Sequence, residues 1–140
     1  MTKTNTYRTI QIYAAIALAT VAAPAAEPAA WPCFRGPDRD GVAREELGLV
    51  VWPPQRLWKA DVGLGYGSAA IVGNRVYVEG WSKDGHNHLW CLDAGSGQVI
   101  WKQSFSEKEA DGKGGPRGTP CVDGERIYTF SQHGKLHCRA

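Results

Sequence analysis

The chain has 140 residues, about one small domain, with 43% apolar and 21% charged residues. Seventeen glycines and eight prolines favour short strands joined by tight turns over long helices, and six tryptophans supply large rings for a core. The net charge is only +2 and no basic stripe is visible, which argues against nucleic acid as a partner.

Residues 1–25 have the pattern of a signal peptide. Lys3 and Arg8 precede an uncharged apolar run over residues 12–23, and Ala23-Pro24-Ala25 offers small residues for cleavage. The run is shorter than the about 20 residues that a membrane-spanning helix needs. We therefore expect a periplasmic or secreted protein that begins near Ala26 and has no membrane segment after signal removal. An uncleaved N-terminal anchor is the alternative.

The next segment, residues 26–56, is irregular, because it is rich in proline, glycine, arginine and aspartate and shows neither a helical nor a strand period. From residue 57 onward the pattern changes to short apolar runs separated by turn residues, which is typical of a β protein.

A repeat runs through this β region. Residues 68–77 and 119–128 share a short strand, a turn that contains glycine, and then arginine, a β-branched residue and tyrosine. Residues 89–91 correspond in the same way to 136–138, and residues 57–59 to 100–102. A spacing of about 45 residues with four short strands per unit is the range of β-propeller blades.

The repeat predicts an all-β fold, a partial β-propeller of four-stranded antiparallel blades with about one and three-quarter blades. Residues 57–140 form the repeats. Within them we expect a ring-closing outer strand at 57–62, a first blade at 63–105 and an incomplete second blade at 116–140. The expected strands are 68–72, 75–81, 88–93, 98–105, 119–122, 126–131 and 135–140. On this reading the chain is the N-terminal fragment of a longer propeller and does not fold as a complete domain.

The most specific motif is Cys91-Leu-Asp93-Ala-Gly-Ser96-Gly97-Gln-Val-Ile-Trp101. The Asp93 carboxylate can accept backbone N–H bonds across a tight turn, and the Ser96 hydroxyl can do the same more weakly. Gly97 supplies the left-handed residue that closes the hairpin with a bulge. Trp101 then lies on the outer strand, where it can contact a neighbouring blade.

This motif resembles the tryptophan-docking motif of quinoprotein-like (PQQ-like) β-propeller repeats, with Cys91 in place of alanine and Ser96 in place of threonine. The opening Trp31-Pro-Cys-Phe-Arg-Gly-Pro37 also resembles that of exported bacterial proteins with these repeats. The resemblance implies that the tryptophan stacks between blades. It makes Asp93, Ser96, Gly97 and Trp101 a structural docking motif, to which Trp58 is added by its alignment with Trp101.

The resemblance leaves three functions open. Many propellers of this type bind no quinone and act as rigid discs for protein contact, so we favour a non-enzymatic binding or scaffolding module whose partner is a protein or the remaining blades. A fragment of a PQQ-dependent dehydrogenase is one alternative, and a carbohydrate-binding propeller that uses exposed Trp81 and Trp90 is another. Such dehydrogenases are similar to one another in having adjacent cysteines, which this chain lacks. No catalytic residue, metal ligand or cofactor is assigned, and PQQ and calcium are possible only if other blades supply the site.

The cysteines and histidines show no metal-site spacing. Because the sequence predicts an exported protein, its four cysteines could form a disulfide, but we favour buried thiols over a disulfide bond. His86 and His88 flank one residue with no third ligand in view, so we expect an exposed hairpin loop there. The four cysteines expected to be buried thiols are Cys33, Cys91, Cys121 and Cys138.

Overall fold

Two antiparallel sheets form the regular structure of this computed structural model, which describes residues 30–44, 53–108 and 114–140. The first sheet has the order β1-β2-β3-β4 and the second the order β5-β6-β7, so each strand pairs with its neighbour along the chain. The strands are β1 (Ala70–Val72), β2 (Arg75–Ser82), β3 (His86–Asp93), β4 (Val99–Ser106), β5 (Cys121–Asp123), β6 (Arg126–Phe130) and β7 (Leu136–Arg139).

The predicted all-β partial propeller is confirmed, and the strand bounds agree with the expected ones to within about two residues. The described residues contain no helix, so none there is long and apolar enough to cross a membrane. The signal peptide expected at 1–25 lies outside the described residues, as do residues 26–29 and 45–52 of the irregular segment.

The core lies between the two sheets. The strand register aligns Tyr77, Cys91 and Trp101 across β2, β3 and β4, on one face of the first sheet. Ile127 of β6 joins Tyr77 and Cys91 in the same buried cluster. Since side chains alternate between the faces of a strand, this face of the first sheet packs against the second sheet as neighbouring blades do.

The segment around Trp31 connects the inner strands of both sheets. The Trp31 backbone exchanges two hydrogen bonds with Ile71 of β1, and the Pro32 carbonyl accepts one from the Val122 N–H of β5 at 2.7 Å. This part of the segment described as irregular therefore contacts both blades, although it forms only an isolated bridge.

Residues 57–62 form no strand in the structure. They approach the first sheet from the side of Trp90, whose Nε1 donates to the Val62 carbonyl at 3.1 Å. Leu64 then forms an isolated bridge with Trp81. The assignment of 57–62 as a ring-closing outer strand, and the blade limits at 63–105 and 116–140, remain predictions.

Candidate blade-docking site

The turn between β3 and β4 is held by the Asp93 carboxylate. Its Oδ1 accepts from the Ser96 N–H and the Ser96 hydroxyl, both at 2.8 Å, and from the Gly95 N–H at 3.1 Å. Its Oδ2 accepts from Asn74 Nδ2 at 2.6 Å, which ties the turn to the β1–β2 hairpin. The Ser96 side chain and backbone bonds hold the pKa of Asp93 below its ordinary value, so the ionised carboxylate fixes this turn.

Trp58 lies directly on this turn. Its Nε1 donates to the Ala94 carbonyl at 2.9 Å, and its ring covers Gly97. Gly97 has a φ of 71°, and a Cβ atom there would lie 2.5 Å from the Trp58 ring. The structure therefore brings Trp58 onto the turn that holds Asp93, Ser96 and Gly97, although Trp58 comes from a separate part of the chain.

Trp101 lies away from that turn, at the junction of the sheets. The Arg139 guanidinium of β7 stacks over its ring at 4.2 Å, and Tyr77 contacts it with ring centroids 6.0 Å apart. Arg139 also donates to the Gln103 Oε1 at 2.9 Å. The indole is half-buried, less than the nearly complete burial that a docking role suggests, and a cleft of about 460 Å³ opens beside it.

A second junction lies at the far end of β4. Glu107 is 2% exposed, and its carboxylate contacts His133 Nδ1 at 2.5 Å and Lys135 Nζ at 3.2 Å, both near the β6–β7 turn. Burial alone would raise the pKa of Glu107, but the hydrogen bonds from His133, Lys135 and Ser131 outweigh it and lower that pKa. No sequence pattern indicated this cluster, because its members lie on different blades.

Glu79 of β2 is a buried carboxyl on the face that meets the second sheet. It is 5% exposed, and its Oε2 has no hydrogen-bond partner among the described residues. Burial raises the pKa of Glu79 to about 7, and the nearby Thr129 hydroxyl of β6 offsets part of that rise. Glu79 therefore titrates near neutral pH inside the junction.

A Ser–His–Ser chain crosses the other face of the first sheet. Ser82 Oγ lies 2.7 Å from His88 Nε2, and Ser104 Oγ lies 2.9 Å from His88 Nδ1. Ser82 also donates to the Asp84 carboxylate, which only accepts. The Ser82 oxygen must therefore accept from His88 Nε2–H, so His88 is a donor here and not a base that activates the serine.

Two placements from the sequence analysis are wrong. His88 is not in an exposed loop, because β3 begins at His86 and His88 is buried. Trp81 is not exposed, because only 4% of it is accessible and its Nε1 donates to the Glu107 carbonyl at 2.9 Å. Trp90 is half-buried, with Lys102 Nζ 4.9 Å from its ring centroid.

The cysteines divide by environment. All four are thiols in the structure, and Cys91 is fully buried, as expected. Cys138 is exposed, so the expectation of a buried thiol is wrong there, because its cross-strand partner Tyr128 lies on the face opposite the buried Ile127 and Thr129. Cys33 and Cys121 are half-buried on the same surface.

Comparison with known proteins identifies the repeat. A family model of PQQ type, described as outer membrane protein assembly factor BamB, matches residues 53–137. No curated protein and no solved structure is significantly similar to the chain. The matched segment spans more than half of the chain and includes the first sheet, all but the last two residues of the second sheet, and the Trp58–Gly97 contact. The chain therefore belongs to this family of PQQ-like β-propeller repeat proteins.

Proposed function

We propose that the chain is a non-enzymatic binding or scaffolding module of an exported protein, and that its second sheet makes the contact. One observation carries this proposal. Phe130 of β6 and Leu136 of β7 are cross-strand partners and are 53% and 66% exposed. They lie on the face opposite Thr129, which is buried towards the first sheet, so together they present an apolar sheet face to the surroundings.

The polar groups of the junction support the same conclusion. The carboxylate of Glu107 is held by His133 and Lys135, which joins one sheet to the other. The Asp93 carboxylate is occupied by turn hydrogen bonds. Both carboxylates are thus engaged in bonds that hold the turn and the two sheets in place. Such bonds are expected of a rigid disc whose surfaces bind other proteins.

The family description favours a polypeptide as the partner. It names an assembly factor for outer membrane proteins, and such a role requires protein contact. An apolar sheet face fits another β-structured surface, since stacked sheets exclude water from both faces. The occupant we propose is a β-rich polypeptide of the cell envelope.

The direct test measures retention of a purified outer-membrane β-barrel polypeptide, diluted from urea onto the immobilised full chain. Leu136→Asp and Phe130→Asp should each lower the affinity about tenfold, because a charge replaces an anchoring apolar side chain. Val99→Asp is the matched control, since Val99 is 55% exposed on the first sheet. Equal retention by all variants, or none by the parent chain, would contradict the proposal.

A second measurement separates this function from the dehydrogenase alternative. The chain is incubated with pyrroloquinoline quinone and calcium, and both cofactor absorbance and dye-linked oxidation of alcohols and sugars are recorded. We expect neither to follow the protein through gel filtration. Bound quinone with dye reduction would favour the dehydrogenase reading instead.

A further inference from the structure

Cys33 and Cys121 meet where the N-terminal segment crosses β5. The residue before Cys33 accepts a hydrogen bond from the residue after Cys121, since Val122 N–H donates to the Pro32 carbonyl at 2.7 Å. Both cysteines line the same two surface clefts, of about 430 and 440 Å³. Their side chains line these clefts together, and besides burial the Cys33 thiol is one of the groups that raise the pKa of Cys121. Two cysteines far apart in the sequence are thus adjacent in the fold.

The surroundings suit thiol chemistry. Both side chains are half-buried, so a small reagent can reach them from either cleft. The Cys33 thiol also donates to the Gly36 carbonyl at 3.3 Å, which orients it. Burial, followed by the neighbouring Cys33, raises the pKa of Cys121, so exchange at Cys121 should become faster as the pH rises above neutrality.

We propose that Cys33 and Cys121 form an intrachain disulfide by exchange with a small external disulfide of the glutathione type. One protein thiolate attacks a sulfur of that disulfide, forms a mixed disulfide and releases one glutathione thiolate. The second protein thiolate attacks the protein sulfur and releases the other glutathione thiolate. The two protons of the protein thiols go to the released thiolates, so two cysteines are oxidised and one external disulfide is reduced.

The other two cysteines are placed differently. Cys91 is fully buried in the core between the sheets, beside Tyr77. Cys138 lies on the exposed face of β7, paired across the ladder with Tyr128. Cys138 is separated from Cys121 by the intervening strand β6, so exchange should select one pairing out of the six that four cysteines allow.

The bond would fasten the N-terminal segment to the second sheet. That segment already exchanges two backbone bonds with β1 through Trp31. A covalent link at Cys33 would therefore hold both inner strands, β1 and β5, to one stretch of chain. Because it closes a long loop, it should raise the midpoint of urea unfolding.

The test is a peptide map of the full chain after oxidation in a glutathione buffer at pH 8. Remaining thiols are alkylated before trypsin digestion without reduction. Each cysteine lies in a different tryptic peptide: Cys33 in the one that ends at Arg35, Cys121 in 118–126, Cys91 in 84–102 and Cys138 in 136–139. We expect the first two peptides to be linked, a chain mass lower by about 2 Da, and two of the four free thiols to remain.

Three comparisons decide the outcome. Chain oxidised in urea should give a mixture of pairings, whereas the native chain should give one. Cys138→Ser should keep the link, and Cys33→Ser should abolish it and leave the unfolding midpoint unchanged by oxidation. A native map identical to the urea map, or four free thiols after oxidation, would overturn the proposal. Because the parent chain itself supplies the map, a variant that fails to fold does not affect the result.

Discussion

At the β3–β4 turn, Gly97 combines a left-handed backbone with a close contact to the Trp58 ring. Gly97→Ala should lower the free energy of unfolding by about 3 kcal/mol, because the backbone strain costs about 1–2 kcal/mol and displacing the ring adds a comparable amount. Gly124→Ala is the matched control, since Gly124 has a φ of 56° and nothing within 4 Å of its Cβ position. For Gly124→Ala we expect only the loss of stability that is due to backbone strain. Equal losses in urea unfolding would contradict the Trp58 contact.

Glu79 makes stability depend on pH in an unusual direction. Its pKa rises from an ordinary 4.5 to about 7 in the folded chain, so the folded state holds a proton that the unfolded state loses. The stability due to the neutral form is therefore complete below pH 4.5 and is lost as the pH rises to about 7. The loss amounts to about 3 kcal/mol. Glu79→Gln should abolish it.

The measurement is urea unfolding at pH 5 and pH 8 for the parent chain and the glutamine variant. The parent chain should lose more stability than Glu79→Gln between these two values. Thr129→Val, which removes the facing hydroxyl, should enlarge the loss, since that hydroxyl lowers the pKa of Glu79. A variant with the same pH dependence as the parent would show that Glu79 is hydrated and not buried in the junction.

Residues whose partners are local could be predicted from the sequence. Asp93, Ser96 and Gly97 act within one turn, and their spacing alone predicted that Asp93 accepts backbone N–H bonds there and that Gly97 is left-handed. Trp81 was misjudged and the Cys33–Cys121 pair was not anticipated, because burial and contact there depend on segments far away in the sequence. Tertiary packing set these environments, and no periodicity in the chain encodes it.

At the scale of strands, the alternation of apolar and polar residues and the turn residues predicted which strands pair. They predicted less well where each strand begins. The inner strands were expected from residues 68 and 119 but begin at Ala70 and Cys121. The reason is a contact between blades. Ser68 N–H donates to the Thr119 hydroxyl at 3.1 Å, and the two hydroxyl oxygens lie 2.8 Å apart. These residues therefore bond to each other across the junction and do not extend their own ladders.

The Glu107 cluster fastens the end of β4 to the β6–β7 turn. Glu107→Gln should lower the free energy of unfolding at pH 7 by about 2 kcal/mol, because it removes a buried charge that is held by the Lys135 ammonium and by a hydrogen bond from His133. The folded pKa lies below the ordinary 4.5, so this stability is present above pH 4.5 and is lost as the pH falls through the folded pKa.

Chemical unfolding across pH 3 to 7 checks this, with Glu125→Gln as the control on an exposed site. The difference between the parent and Glu107→Gln should shrink towards acid, while Glu125→Gln should stay near the parent throughout. A difference that persists at pH 3 would mean that packing, and not charge, accounts for the effect.

At the scale of the whole molecule, the two sheets pack face to face as consecutive blades. The sequence repeat predicted both sheets and their order, because each blade is a local meander with its own turns. It could not predict how the inner strands are joined by Trp31 and Pro32, since that segment has no strand pattern. Three features stay predictions: export of the chain, the signal peptide and the domain limits. N-terminal sequencing of exported material would test the first two.

Trp101 and Arg139 report most directly on the packing of one sheet against the other, because one lies on β4 and the other on β7. A double-mutant cycle with Trp101→Ala and Arg139→Ala, measured by urea unfolding, should give a coupling of about 1 kcal/mol. The cycle for Trp90 and Lys102, a similar pair within the first sheet, is the control. Coupling in both cycles is the result we predict. Coupling in the Trp90–Lys102 cycle alone would contradict the docking of the two blades.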